Sequence, residues 1–152
     1  MFNQVDYMSL ALEEAVKAKH KQEVPVGAII VDHNGNIIAK AHNLVELNNN
    51  STCHAEKLVI EKALHITGNR FLEKYDLWVT LEPCVMCAGI IKQTRIRRLY
   101  FGVEDKKGGA IVNGPQVLAK DEANGSIEIY SGFSQEKSEQ LLKDFFKKLR
   151  SN

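Results

Sequence analysis

The sequence predicts an α/β protein, a sandwich of helices around one mixed sheet, and three observations carry that prediction. Short apolar runs bounded by turn residues, such as 26–31 and 77–81, alternate with longer stretches whose apolar residues recur at helical spacing, such as Met8, Leu12 and Ala15. The 152 residues suit a single domain, 1–152, able to bury a full core without disulfides, and no repeat or linker interrupts them. The composition, 44% hydrophobic and 26% charged, is that of a globular chain and excludes a disordered one.

The elements follow in order. Residues 6–21 place Met8, Leu12, Ala15 and Lys19 on one stripe, with Glu13, Glu14 and Lys17 off it, which predicts an amphipathic helix. The run 26–31 ends at Asp32-His33-Asn34-Gly35, a turn signal, and resumes over 36–41, so the two segments form a hairpin. Ser51 and Thr52 are cap-type residues ahead of a helical stretch, 54–66, that Gly68 closes. Leu77-Trp78-Val79-Thr80-Leu81 reads as a buried strand running into Glu82-Pro83. Proline suits the first turn of a helix, so 84–93 is expected to be helical. Residues 96–101 form another strand and 127–130 a weaker one. Leu141, Leu142, Phe145, Phe146 and Leu149 make the apolar stripe of a C-terminal helix.

The chemistry is concentrated in a split cluster, His54-Ala55-Glu56 and, about thirty residues on, Pro83-Cys84-Val85-Met86-Cys87. One imidazole and two thiols make three ligands for a tetrahedral zinc, the number a catalytic zinc uses when water takes the fourth position. Glu56 supplies the proton acceptor, and later donor, that such a water needs. Cys84 and Cys87 are three apart and face the same way on a helix. His54 and Glu56 are two apart and can share a site only at the first turn of theirs, with Thr52 or Cys53 marking the start. Two helix N-termini then meet the metal, favouring thiolate over thiol. The competing reading is a structural zinc with a fourth ligand from His33, His42 or Cys53, but a structural site has no use for Glu56.

The rest of the chain narrows the function classes. Net charge is +1, so any nucleic-acid site must come from local clustering. Lys92, Arg95, Arg97, Arg98, Lys106 and Lys107 form such a cluster, offset by Glu104 and Asp105, and some of them are expected to touch phosphate. Lys143, Lys147, Lys148 and Arg150 read equally as a solvated helix face or a second basic contact, while His20, His33 and His65 are expected to be solvated. Cys53 has no thiol left to pair with, which argues for a reducing compartment and a buried, inert role. No apolar run approaches the ~20 residues of a membrane span. The start, Met1-Phe2-Asn3-Gln4-Val5-Asp6, lacks the pattern of a signal peptide, and a cytoplasmic location with no membrane partner is expected.

The H-x-E and P-C-x-x-C pair is the established signature of zinc nucleobase deaminases. Together with Glu23-Val24-Pro25-Val26-Gly27-Ala28, Asn43, Thr80-Leu81-Glu82-Pro83-Cys84-Val85-Met86-Cys87-Ala88-Gly89, Arg95-Ile96, Phe101-Gly102, Asp105, Lys107, Gly109-Ala110 and Phe145-Phe146, it makes nearly the whole chain resemble the bacterial tRNA-specific adenosine deaminases. These lie within the cytidine deaminase-like superfamily. The resemblance implies a three-layer α/β/α sandwich with a mixed five-stranded sheet, one Zn2+ per chain on His54, Cys84 and Cys87, and a homodimer. It implies hydrolytic conversion of the tRNA wobble adenosine, A34, to inosine, with Glu56 moving the protons and the anticodon stem-loop as partner. It surrounds the substrate with Asn43, Val26, Pro83, Asp105, Lys107 and Ala55, whose backbone N–H is a donor for the attacking oxygen. Between Ala110 and Ile127 the chain departs from the family: where many members carry an Asn-His pair it reads Ala123-Asn124-Gly125-Ser126. The alternatives are a zinc deaminase of a free nucleobase or nucleoside, guanine or cytosine type, and a zinc-stabilised binding module without catalysis.

Overall fold

The computed structural model describes residues 5–119 and 127–151, and all that follows concerns those residues. The first helix, α1 (Tyr7–His20), starts where Asp6 Oδ1 accepts the Ser9 N–H at 3.1 Å. It buries Met8, Ala11, Leu12, Ala15 and Ala18, close to the predicted stripe. Glu14 departs from expectation: it is buried, because Lys17 and His42 pair with its carboxylate.

The hairpin strands β1 (Gly27–Asp32) and β2 (Ile37–His42) are antiparallel. Asp32 Oδ1 accepts the N–H groups of Asn34 and Asn36, and Gly35 takes φ 86° to complete the turn. Helix α2 (Ala55–Thr67) ends on Gly68 at φ 70°, as predicted. Strand β3 (Tyr75–Leu81) leads to helix α3 (Val85–Gln93), and then come β4 (Arg98–Val103), β5 (Glu128–Tyr130) and α4 (Gln135–Arg150).

Strand β4 is displaced from the predicted 96–101. The cause is the end of α3, where Arg95 adopts the left-handed conformation (φ 61°) that usually selects glycine. Arg95 N–H bonds the Lys92 carbonyl and Ile96 N–H the Ile91 carbonyl, so Ile96 closes the helix before the strand begins. Nothing in Arg95 as a residue type announces that cap.

The sheet order is β2-β1-β3-β4-β5, with β1 antiparallel to both its neighbours and β3, β4 and β5 parallel. Helices α1 and α4 cover one face, while α2 and α3 pack on the other, giving the expected three layers. Most of the core lies under α2 and α3, where Val59, Ile60, Ala88 and Ile91 meet Ile30, Val79, Leu99 and Phe101. Strand β1 is buried on both faces, which is why its sequence is a continuous apolar run.

Gly27 sets the distance between α1 and the sheet. A Cβ there would collide with the Ala11 carbonyl and the Ala15 nitrogen, both backbone atoms that cannot rotate away. Gly27→Ala should therefore destabilise the protein by about 1–3 kcal/mol or more, as overpacked cores do. Urea unfolding measures this, and an unchanged midpoint would show that α1 can lift off at no cost.

Candidate active site

The split cluster comes together at one end of the sheet. Strand β3 delivers Leu81, Glu82 and Pro83 to Cys84, the N-cap of α3, and β2 delivers Asn43 to a loop that ends at His54, the N-cap of α2. Both cap residues keep extended backbone, His54 at ψ 151° and Cys84 at ψ 176°, so neither has entered its helix. This corrects two expectations. Thr52 and Cys53 do not start α2, and Pro83 stands ahead of the Cys84 cap rather than in the first turn.

His54 Nδ1 lies 3.6 Å from the sulfur of Cys84 and 3.6 Å from that of Cys87, and the ligand atoms all lie within 4.8 Å of one another. A tetrahedral zinc with ordinary Zn–S and Zn–N bond lengths would set nitrogen and sulfur about 3.6 Å apart. The donor set therefore fits a tetrahedral cation without rearrangement. The protonation of the trio points the same way. Hydrogen bonds from Cys87 and then His54 outweigh burial and hold the Cys84 thiol down to about 3. The bond to Cys84 raises the imidazole of His54, and the bond to Cys84 with burial pushes the Cys87 thiol up. His54, Cys84 and Cys87 together are a donor group that could hold a metal ion, which would take the place of such protons.

Glu56, on the first turn of α2, is buried beside this trio. Burial, reinforced by the Cys84 thiolate, pushes its carboxyl up to about 7 from an ordinary 4.5. The start of α2 is capped from outside its own segment: Asn43 Oδ1 accepts the Ala55 N–H at 2.7 Å. The Ala55 N–H, expected to donate to the attacking oxygen, is the one that Asn43 accepts here, and Ala55 is wholly buried.

Cys84 and Glu56 open into a cavity of about 1100 Å³. Of the predicted substrate contacts, Asn43, Val26 and Asp105 line it, as does His54, while Cys87 is buried. Pro83 does not line it, because Pro83 is buried and its carbonyl accepts the Ala110 N–H. Lys107 is exposed outside it, its backbone N–H turned back onto Asp105 Oδ1. The predicted basic stretch is split as well. Arg97 pairs with Asp76 and Arg98 with Glu128 at the opposite end of the parallel strands, and Arg95 pairs with Glu73. The cations at the cavity are Lys19, Lys21 and Lys148, with His20. Sequence spacing could not bring the end of α1 to the end of α4. Phe145 and Leu149 of α4 supply apolar wall. Cys53 is buried, as expected, and accepts from Asn48 Nδ2 at 3.6 Å outside the His54, Cys84 and Cys87 group.

The comparisons with known proteins agree with this geometry. A family model described as MafB19-like deaminase matches residues 2–150. A tRNA-specific adenosine deaminase of Bacillus subtilis is 44% identical over 144 residues, 95% of this chain and 89% of that protein. One from Rickettsia typhi is 43% identical over 145 residues, 95% of this chain and 98% of that protein. A structure solved in studies of A-to-I editing by tRNA:A34 deaminases superimposes with a TM-score of 0.86 at 41% identity, covering 91% of this chain and 100% of its own. The chain belongs to the tRNA-specific adenosine deaminase family. Membership accounts for the mixed sheet and the three layers. The stretch 123–126, where the chain departs from the family pattern, lies outside the described residues.

One polar group beside the cavity bears on this family member's stability. His42, buried at the end of β2, sits between Glu14 Oε1 at 3.4 Å from Nδ1 and Lys21 Nζ at 3.0 Å from Nε2. Burial lowers its pKa below 6.5, and Lys21 and Lys17 add to that against Glu14, which opposes it. A histidine lowered on folding binds its proton more readily in the unfolded chain. Its contribution to stability is thus complete above about 6.5 and is lost as pH falls through the folded value. The melting temperature should fall between pH 7.5 and 5.5 more steeply in the wild type than in His42→Gln. Parallel slopes would show that His42 does not titrate there.

Proposed function

We propose that this protein deaminates adenosine at the wobble position of tRNA, A34, by hydrolysis, leaving inosine and releasing ammonia. The observation that carries the reading is Glu56, a buried carboxylate with a raised pKa set against a His-Cys-Cys donor group at an open cavity. The relatives above, named for tRNA adenosine as substrate, supply the substrate class.

One zinc ion per chain would be held by His54 Nδ1 and the sulfurs of Cys84 and Cys87. When bound, zinc supplies Lewis acidity that brings the pKa of a water toward ~7. Glu56 takes a proton from the attacking water and delivers it to N1 of the ring; it then takes the remaining proton of the hydroxyl now on C6 and gives it to the exocyclic amine, which leaves as ammonia as the C6 carbonyl of inosine forms. A carboxyl near 7 is suited to both halves of this exchange, since it gives and takes a proton at neutral pH. Asn43, with Oδ1 committed to Ala55, turns its remaining amide donors toward the base. Val26 and Asp105 complete the walls. The wobble nucleotide must leave its stack to enter, at a cost of a few kcal/mol. Lys19, Lys21 and Lys148 offer positive charge to the phosphates around it.

We also read the protein as a cytoplasmic homodimer. Val85, 59% exposed on the first turn of α3 beside Cys84, is apolar surface a second copy would cover. Among the described residues no helix is long and apolar enough to cross a membrane.

Ammonia release measured in parallel on a tRNA bearing A at the wobble position and on free adenine, guanine, cytosine and their nucleosides tests the function. Turnover confined to free guanine or cytosine would replace this reading with the free-base alternative. Glu56→Ala should keep one zinc per chain by elemental analysis and lose about 10²–10⁴-fold in turnover, because the carboxylate is no ligand but moves every proton. A variant retaining a third of wild-type turnover, with chemistry rate-limiting, would rule that role out. Replacing Lys19 and Lys148 together by Ala should weaken tRNA binding and flatten the plot of log affinity against log salt by about one for each phosphate no longer neutralised. An unaltered slope would remove both lysines from the RNA site.

A further inference from the structure

The strongest feature left unused by this mechanism is Glu82, a carboxylate 2% exposed at the end of β3. Its two oxygens accept five hydrogen bonds, all from one loop. Oε1 takes the Asp105 N–H at 3.0 Å and Asn113 Nδ2 at 2.7 Å. Oε2 takes the N–H groups of Ile111 and Val112 at 3.0 Å and of Asn113 at 3.1 Å. The loop is shaped to close over the carboxylate: a Cβ on Gly109 would collide with the Glu82 carboxyl carbon. Asp105 and Gly108 of this loop line the cavity, and Lys106 and Lys107 are exposed at its turn. Four backbone donors of an irregular segment thus converge on a single anion that no nearby helix or strand could replace.

We propose that Glu82 is a positioning residue, whose carboxylate holds the 105–113 loop as the cavity wall against which the RNA substrate is bound. The inference rests on the RNA deaminase reading above. Glu82 also precedes Pro83 and Cys84, so the same short segment that carries a metal-binding thiolate anchors the wall facing it. A second carboxylate does the same for the other side. Glu23, 1% exposed, accepts the N–H groups of Glu46 at 2.9 Å and Leu47 at 2.8 Å, in the loop that runs from Asn43 toward His54. It provides the internal control.

The role separates binding from chemistry. Loosening the wall leaves His54, Cys84, Cys87 and Glu56 in place, so it should raise KM for an anticodon stem-loop RNA and spare kcat. In the zinc-loaded protein, Glu82→Gln replaces one acceptor oxygen with an NH2 group facing donors. The amides of residues 105, 111, 112 and 113 should then exchange hydrogen at least about tenfold faster, with KM up about tenfold and kcat within about threefold. Zinc content should stay at one per chain. Glu23→Gln should instead speed exchange at 46 and 47 and leave the 105–113 amides protected. Asn113→Ala, which removes only the side-chain donor, should move KM and loop exchange in the same direction by less, and it decides the matter if Glu82→Gln does not fold.

Unaltered exchange in the loop, or faster exchange with KM unchanged or with kcat falling in step, would overturn the proposal. A wild-type protein that deaminates no RNA would overturn the reading beneath it and the inference together. An active wild type whose loop is indifferent to both Glu82→Gln and Asn113→Ala overturns the inference alone.

Discussion

Two residues separated by one cannot serve a common point from inside a helix, because each residue turns the chain by about 100° and the pair diverges by about 200°. His54 and Glu56 do meet at one site, and the structure resolves the conflict by leaving His54 outside the helix. It holds extended backbone at the N-cap while Glu56 already belongs to the first turn. The same solution serves Cys84 and Cys87, one at the cap and one inside. Both helices point their N-terminal, partly positive ends at the sulfurs. The geometry depends on where α2 begins, and Asn43 decides that by capping Ala55 from the end of β2. The residue just after β2 thereby sets the angle between the His54 imidazole and the Glu56 carboxylate.

Buried carboxylates show how one chemical group acquires opposite properties. Burial by itself raises a carboxyl, and at Glu56, beside the Cys84 thiolate, it carries the group to about 7. At Glu82 burial pulls in the same direction, but bonds from Asn113, Ile111 and Asp105 outweigh it and hold the carboxyl below its ordinary value. The first is left able to exchange protons near neutrality. The second is an anion with its lone pairs occupied, suited to holding a loop in place. Glu23, likewise buried, accepts two backbone N–H groups of the loop that follows Asn43.

The far face of the sheet keeps the parallel strands in step. Trp78, Tyr100 and Tyr130 occupy matched positions on β3, β4 and β5, with ring centroids 3.9 Å and 5.0 Å apart, and Phe133 meets the first two edge-on. Such cross-strand aromatic pairs stabilise a particular register. That register places Leu81 opposite Val103, so the loops after β3 and β4, which carry Cys84 and Asp105, leave the sheet side by side. Close contact of α1 at Gly27 and of α4 at Gly102 keeps both helices near enough to bring Lys21 and Lys148 to one cavity.

Much of this was legible in the residues themselves. Apolar periodicity located the helices and strands within a few positions, since burial imposes its period on any chain that folds. The grouping of His54, Glu56, Cys84 and Cys87 was legible because metal binding and proton transfer demand particular atoms, and few residue types carry them. What escaped were features in which the deciding partner is distant in sequence. The left-handed cap at Arg95, the capping of Ala55 by Asn43, the loss of Arg97 and Arg98 to ion pairs and the burial of Glu14 all depend on neighbours that only the fold supplies. Glu82 stood in plain view beside proline and cysteine, but a carboxylate in a sequence does not disclose which backbone N–H groups will converge on it. The residues determined which reactions the chain could support. Tertiary structure decided which of them face the cavity, because hydrogen bonds and desolvation act through space, and adjacency in space is what folding creates.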